Sequence, residues 1–442
     1  MTRFLPTNDL LSWGRVLRRR HEIARPTWRD ELPSTLAEGT RAGRKLLAIG
    51  LRRSYGDSGL NPDGAILDMT ALDRGIAFDA STRLLRVEAG VSFESLLTLL
   101  VRRGFFLPVA PGTSFVTLGG AVANDVHGKN HHSAGTFGRW VRRIGLLRSD
   151  GNELELGPQD PLFEATIGGL GLTGLITWVE FEVMSISSAE METETIPFND
   201  LDGFFRLASE SDAKFDYTVS WVDCLAKGAH LGRGLFTRAS HSTNGPRLVS
   251  SRTKRLTVPV ELPSIALNGL TVRAFNALYN RNGRRKAGKR RISYPSFFFP
   301  LDSIGNWNRM YGTQGLYQYQ SVVPPESARD ATRAMLEAIS RAQQGSFLAV
   351  LKTFGHKPSP GLLSFPKPGT TLALDFPNRG TATLDLMGQL DGIVREAGGR
   401  LYPAKDGRIS AELFRHGYPQ WRGFAKHVDP AFSSSFWRRV SM

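Results

Sequence analysis

Residues 110–138 read "APGTSFVTLGGAVANDVHGKNHHSAGTFG". A Pro-Gly turn, a Thr-Leu-Gly-Gly step and then three histidines and a lysine between His127 and His132 fall in one run, although the 442-residue chain holds only nine histidines. Glycine lets backbone N–H groups approach a ligand closely, and successive N–H groups in turns form nests for phosphate oxygens. Two more glycine-rich loops flank the run, "IGLRRSYGDSG" at 49–59 and "GGLGLTGLI" at 168–176. Three such loops converging on one ligand suit something large, extended and diphosphate-bearing.

The third loop carries Gly169, Gly171 and Gly174 in the spacing of a dinucleotide fingerprint. That fingerprint must open a helix after a strand, whereas the following "LITWVEFEV" alternates like a strand, so a Rossmann fold is rejected. A metal site at "HGKNHH" with the nearby Asp125 is also disfavoured, because no Cys or HExxH-type spacing completes a ligand set. No metal is expected. For His131 and His132, a role in the site and simple hydrogen bonding within a polar turn are weighed evenly.

Around these loops the chain alternates short strands with a few helices. "KLLAIG", "AILDM", "LLRVEAG" and "ITWVEFEV" read as strands; "SFESLLTLLVRRG" reads as a helix with Ser92 as N-cap and Gly104 past its C-terminus. Beyond Ser185 the glycine density drops and longer strands appear, "FDYTVSWVD", "GLYQYQSVVP", "SFLAVLKTFG" and "TTLALDFP", with helical "ESARDATRAMLEAISRA" between them. This pattern suits an antiparallel sheet with helices on one face. Alternation puts Gln318 and Gln320 on one face and Tyr317 and Tyr319 on the other, and places Lys352 with Leu348 and Val350. A lysine on an apolar strand face is unusual unless paired or functional.

Composition narrows the class. With 41% apolar residues the chain can bury a large core, and its length favours two or three domains. No apolar run reaches the ~20 residues of a spanning helix, no signal-peptide pattern opens the chain, and the single Cys224 rules out an internal disulfide. A cytoplasmic location is expected. The net charge of +15 points to acidic partners. Seven of the eleven residues Arg281–Arg291, "RNGRRKAGKRR", are basic; the stretch lacks base-stacking aromatics and reads as a solvated loop, with attraction to anionic lipid as its functional version. Nucleic acid is not expected as a partner.

The loops in this order, followed by "WNRMYG", "YQYQ", "LSFP", "DFP" and "GGRLYPAKD", resemble the vanillyl-alcohol-oxidase/PCMH flavoprotein superfamily, and within it the oxidases of polyprenylphosphoryl-ribose, over nearly the whole chain. The "HGKNHHSAG" element is the specific part. The resemblance implies an α+β chain: a PCMH-type FAD-binding domain at 10–190, an antiparallel-sheet substrate domain at 191–398, and a segment at 399–442 returning to the FAD domain. It implies FAD, bound non-covalently because Arg53-Ser54 stands where covalent relatives often carry a histidine. Gly50, Arg53, Ser54, Tyr55, Gly56, Asp57 and Ser58 would wrap the cofactor from the first loop. Gly112, Thr113, Thr117, Leu118, Gly119, Gly120, Asn124, Asp125, Val126 and His127 would do so from the second, with Ile176 and Tyr402 against the flavin. Arg52 departs from the family's third loop glycine, so either its φ is negative or the loop bends differently.

The same resemblance implies Lys405, His127 and Lys352 as catalytic residues, and Lys129, Tyr311, Gln318, Gln320, Lys352 and Trp221 as substrate contacts. Lys405 would otherwise be an exposed loop lysine paired with Asp406. The implied reaction is FAD-dependent oxidation of a sugar secondary hydroxyl, C2 of a polyprenyl-phosphoryl-β-D-ribose, to the keto form. An NAD(P)H-dependent short-chain reductase would complete epimerisation to the arabinose, and the lipid-linked substrate implies peripheral contact with the inner face of the membrane. The alternative is an aldonolactone or alditol oxidase using O2 on a soluble sugar.

Overall fold

A computed structural model describes residues 3–8, 10–62, 64–247, 256–263 and 267–442. Three sheets organise the chain, and the architecture is α+β. The strands read from the sequence all form: Leu46–Ile49, Ala65–Asp68, Leu84–Glu88 and Leu175–Glu182 in the glycine-rich part, then Tyr217–Val222, Leu316–Val323, Ala349–Phe354 and Gly369–Pro377.

In the first sheet Ala65–Asp68 runs parallel to both His21–Ala24 and Leu46–Ile49, with Leu5–Thr7 at the edge. The second is antiparallel, in the order Gly75–Asp79, Leu84–Glu88, Leu175–Glu182, Val141–Leu147, Glu153–Leu156. Beside it the helix Phe93–Leu100 starts where the Ser92 hydroxyl accepts from the Ser95 N–H at 3.1 Å, a cap worth about 1 kcal/mol. It stops at Gly104, whose φ of 81° a side chain would resist.

The third sheet has eight strands, in the order Gly288–Ser293, Glu190–Phe198, Gly234–His241, Tyr217–Val222, Ala349–Phe354, Gly369–Pro377, Leu316–Val323, Arg400–Leu401. Period-2 alternation gives it two unlike faces. Phe236, Leu351, Leu372, Leu374, Phe376 and Tyr319 point to the side where the helices Leu201–Asp212, Ala328–Ala342 and Thr381–Glu396 pack, forming one continuous core. Thr237, Val350, Lys352, Ala373, Asp375, Gln318 and Gln320 point to the other, which walls a cavity.

The basic stretch Arg281–Arg291 is not a loop. It forms the end of the helix Gly269–Arg285 and the edge strand Gly288–Ser293. The register sets Arg291 opposite Glu192 and Lys289 opposite Glu194, and opposite charges facing across two strands favour pairing. Positive side chains also keep an exposed edge from adding further strands.

The C-terminal segment returns to the first sheet. The Leu46 N–H donates to Ala431 O at 2.7 Å, Phe432 packs with Leu46, Ala65 and Leu67, and Arg148 pairs with the buried Asp429 at 3.3 Å.

Candidate active site

Between the face of the large sheet that carries Lys352 and Gln320 and the glycine loops lies a cavity of about 1150 Å³, larger than the usual range for a single drug-sized ligand. All three loops reach it: Gly50 and Arg53 to Tyr55 from the first, Gly112, Thr113, Gly119 and Gly120 from the second, Gly171 and Gly174 from the third. Arg52 has a φ of +56°, so the expected negative φ does not hold. The backbone keeps the glycine-like conformation and carries an arginine at a strain cost of order 1 kcal/mol. Arg53 lies over the Trp13 ring at 4.0 Å. The second loop is tied to the substrate side by Asp302, which accepts from Thr113 Oγ1 at 2.6 Å and the Ser114 N–H at 2.7 Å.

An extended cofactor fits this wall. A Cβ at Gly112 would meet nothing within 4 Å, and one at Gly171 would meet only Ala48 O at 3.9 Å. Both positions are therefore bare backbone open to the cavity, where a ligand can come close. Ser58 Oγ, buried on the same wall, has no hydrogen-bond partner among the described residues.

Ser54, Ser58, Thr117, Asn124, Val126, His127, Ile176 and Tyr402 line the cavity as well. Several residues expected at the cofactor do not. Gly56 is needed for the returning tail, since a Cβ there would lie 1.5 Å from Asp406 O. Asp57 pairs with Arg439 at 2.7 Å, which also reaches Asp406 at 3.2 Å. Leu118 is fully buried in the core. Asp125 accepts from the Gly138 N–H at 2.8 Å and from Ser364 Oγ at 2.5 Å, fixing the turn; burial pushes its carboxyl up to about 6. Tyr311, expected at the substrate, is buried behind the wall beside Phe347, its hydroxyl without a partner among the described residues.

The second loop delivers His127 and Lys129 to the polar end. Lys352 Nζ lies 3.0 Å from His127 Nδ1 and donates to Gly128 O at 2.7 Å, and His127 Nε2 lies 3.1 Å from the Gln320 amide. When Lys352 is charged, it donates to Nδ1, so the imidazole carries its proton on Nε2 and Gln320 presents its oxygen. A neutral Lys352 can instead accept from the Nδ1–H, and Gln320 Nε2, the atom that faces His127 here, then donates to Nε2. Burial drives the His127 pKa well below the usual value, and the Lys352 charge adds to this.

Burial also lowers Lys129 to about 7 and Lys352 to about 7. Lys129 donates to the Phe297 and Phe298 carbonyls. Lys405 is neither exposed nor paired with Asp406. Its Nζ lies 4.2 Å from the centre of the Tyr55 ring, and burial lowers it to about 8 against the opposing pull of Asp375.

Asp375 is the residue that sequence reasoning missed. It is 1% exposed; Gln318 Nε2 donates to its Oδ1 at 2.5 Å, its Oδ2 has no partner among the described residues, and burial pushes the carboxyl up to about 7. The signal was the alternation of Thr371, Ala373 and Asp375 with Leu372, Leu374 and Phe376.

Two histidines of the opening cluster stay away from the cavity. His131 packs 4.4 Å from the Phe354 ring with both nitrogens unpartnered, and burial holds it down to about 3. His132 Nε2 contacts Phe215 O at 2.8 Å. Trp221 lines the cavity and donates to Phe347 O at 3.0 Å. Three lysines thus line the cavity, Lys352 buried and Lys129 and Lys405 half-buried, and Lys405 feels the charge of the Asp375 carboxylate. The arrangement favours an anionic ligand and leaves groups able to exchange a proton near neutrality.

Comparison with known proteins agrees with this geometry. Residues 21–157 match the model of an FAD-binding domain, and the chain uses FAD. Over 99% of its length it is 37% identical to the decaprenylphosphoryl-β-D-ribose oxidase of Mycolicibacterium smegmatis, covering 98% of that protein. It is 32% identical to an uncharacterised protein of Streptomyces coelicolor over 80% of this chain and all of the other. A third relative, an L-gulono-1,4-lactone dehydrogenase of Mycobacterium tuberculosis, is 29% identical over 37% of this chain and 38% of its own. With this full-length similarity and a cavity built from its loops, the chain is an FAD-dependent oxidoreductase and belongs to the decaprenylphosphoryl-β-D-ribose oxidase family.

Proposed function

We propose that this enzyme oxidises the C2 hydroxyl of a polyprenyl-phosphoryl-β-D-ribose to the 2-keto sugar. The observation that carries the reading is the cluster of Lys129, Lys352 and Lys405 at the end of a cavity large enough for a dinucleotide and a sugar phosphate together. A soluble lactone carries no phosphate and gives Lys129 and Lys352, which have no carboxylate partner among the described residues, no counter-charge. The similarity to a lactone dehydrogenase spans only 37% of the chain.

Bound FAD supplies the acceptor for the hydride leaving C2. Gly112, Gly119, Gly120 and Gly171 would hold it through bare backbone, with Arg53 and Ser58 beside it. Lys405 Nζ takes the hydroxyl proton, its lowered pKa leaving a neutral fraction at working pH. Asp375 sets that fraction through its charge, and Gln318 fixes Asp375. Lys352 and His127 hold the far side, while Lys129 and Lys352 balance the phosphate. Trp221 bounds the cavity toward the lipid.

The division into a domain at 10–190, a domain at 191–398 and a returning segment at 399–442 belongs to the same proposal. So does a reductase using NAD(P)H that consumes the keto sugar, together with a position at the inner face of the membrane. Among the described residues no helix is long and apolar enough to cross a membrane.

The test is anaerobic addition of a short-chain polyprenyl-phosphoryl ribose, or of arabinono-1,4-lactone, to the yellow enzyme. Bleaching by the ribosyl lipid, with a ketone trapped by hydroxylamine, is expected. Bleaching by the lactone alone, with hydrogen peroxide formed on readmitting air, overturns the reading.

A further inference from the structure

The helix Gly269–Arg285 is turned inside out. Its buried residues are Val272, Asn276 and Asn280, whereas Leu270, Leu278 and Phe275 stand 76%, 58% and 44% exposed. A surface helix ordinarily faces its apolar stripe inward. Asn276 Nδ2 donates inside to Asp223 Oδ1 at 3.1 Å and Ser346 O at 3.4 Å, a reason for a polar residue on the inner stripe that leaves the apolar outer one unexplained.

The same helix is a rim of the cavity, through Tyr279, Asn282 and Gly283. An aromatic strip runs from inside to outside. Trp221 on the cavity wall lies 4.8 Å from Tyr279, and Tyr279 stacks at 5.8 Å on the exposed Phe275.

Charge defines the occupant. Residues 269–291 hold eight basic residues and no acidic one. Arg273, Arg284 and Arg291 bond to Gln343, Asn199 and Glu192. Arg281, Arg285 and Lys286 are exposed and have no ion-pair partner among the described residues. A protein groove receiving this helix would cover its apolar side, but it would explain neither the unrelieved positive charge nor the cavity opening beneath. An anionic bilayer explains both.

We propose that this helix docks the enzyme on an anionic lipid surface, its apolar side in the headgroup boundary. The substrate's tail then leaves the cavity along Trp221, Tyr279 and Phe275 and enters the membrane. The inference rests on the lipid-linked substrate proposed above.

Vesicle flotation of the FAD-loaded enzyme tests it, with phosphatidylcholine vesicles alone or containing phosphatidylglycerol. Binding is expected only with the anionic lipid, weakening as salt rises. Arg281→Gln with Arg285→Gln should weaken it roughly 30-fold, from about fivefold per basic residue near an anionic surface. Leu270→Asp with Leu278→Asp should abolish it. None of these four residues lines the cavity, so FAD content and turnover of a short soluble substrate should stay at the parent level, which also checks folding.

Parent enzyme that does not float with anionic vesicles, or both double variants floating like the parent, overturns the proposal. Capture of a protein by this helix without any vesicle binding overturns it as well. Flotation needs no substrate, so its failure leaves the proposed reaction standing. Normal flotation with no oxidation of the ribosyl lipid removes the reaction and leaves the surface.

Discussion

Replacing Asp375 by asparagine should make the enzyme faster at neutral pH. In the folded protein burial lowers Lys405 to about 8, and the one cause holding it up is the Asp375 charge. A base works through its neutral form, so flavin reduction should rise with pH through the Lys405 pKa. Asparagine keeps the shape and the Gln318 contact but removes the charge, and the lysine, still buried, titrates lower. An opposite charge close by shifts a pKa by about 1–3 units. Because Asp375 is itself raised to about 7 and only partly charged there, the lower bound applies. At pH 7 the neutral fraction of Lys405 then climbs from about one tenth to about one half, a gain of about fivefold in rate, while the plateau well above the wild-type pKa is unchanged. Rapid mixing of FAD-loaded enzyme with substrate across the pH range, following loss of flavin absorbance, gives both limbs. An unmoved acid limb would refute the coupling. A collapse at every pH would show that the Asp375 carboxylate, with its free Oδ2, is the acceptor itself.

Lys405→Ala should keep FAD bound yet slow reduction by roughly 10²-fold, as expected for a lost proton acceptor; stopped-flow traces at the parent rate would exclude the residue. Acid precipitation of the yellow protein should release all flavin as FAD, since Arg53 and Ser54 offer no imidazole for a covalent link, and flavin in the pellet would contradict this. Arg439→Ala leaves the buried carboxylates of Asp57 and Asp406 without their cation, so denaturant titration should show a loss of about 3–5 kcal/mol. A midpoint equal to the parent's would show that the cluster carries no stability.

Strong alternation made much of the wall legible from the sequence. Gln318, Gln320 and Lys352 were placed on the right strand faces because each stands among residues of period 2, and burial of one face enforces the register. Asp375 escaped notice because "LALDFP" is apolar on both sides of it, and a lone acid there reads as a strand end. Arg281–Arg291 was misread for the opposite reason. Its charge suggested solvent, and the strand Glu190–Phe198 that pairs with its C-terminal part lies about a hundred residues away. Long-range needs also decided Gly56 and Asp57: both serve the returning tail, which no local pattern announces. Arg52 shows the converse, where a residue that disfavours positive φ adopts it because the surrounding loop dictates the path.

That returning tail sets a timetable for biogenesis. Asp57 and Arg439 are 382 residues apart in the chain, and Lys45 Nζ reaches Pro430 O across 385. At a synthesis rate of about 5–20 residues per second the two sides of each contact emerge roughly 20 to 80 seconds apart. Through that interval the Leu46–Ile49 strand lacks its Ala431 partner, and the first glycine loop lacks the Asp406 carbonyl that presses on Gly56. Contacts so distant in sequence also form slowly once both sides exist. Cofactor capture is therefore a late event, completed on the finished chain. Until then the nascent protein presents an uncovered sheet edge beside an unfinished cleft, the kind of surface that chaperones shield and proteases reach.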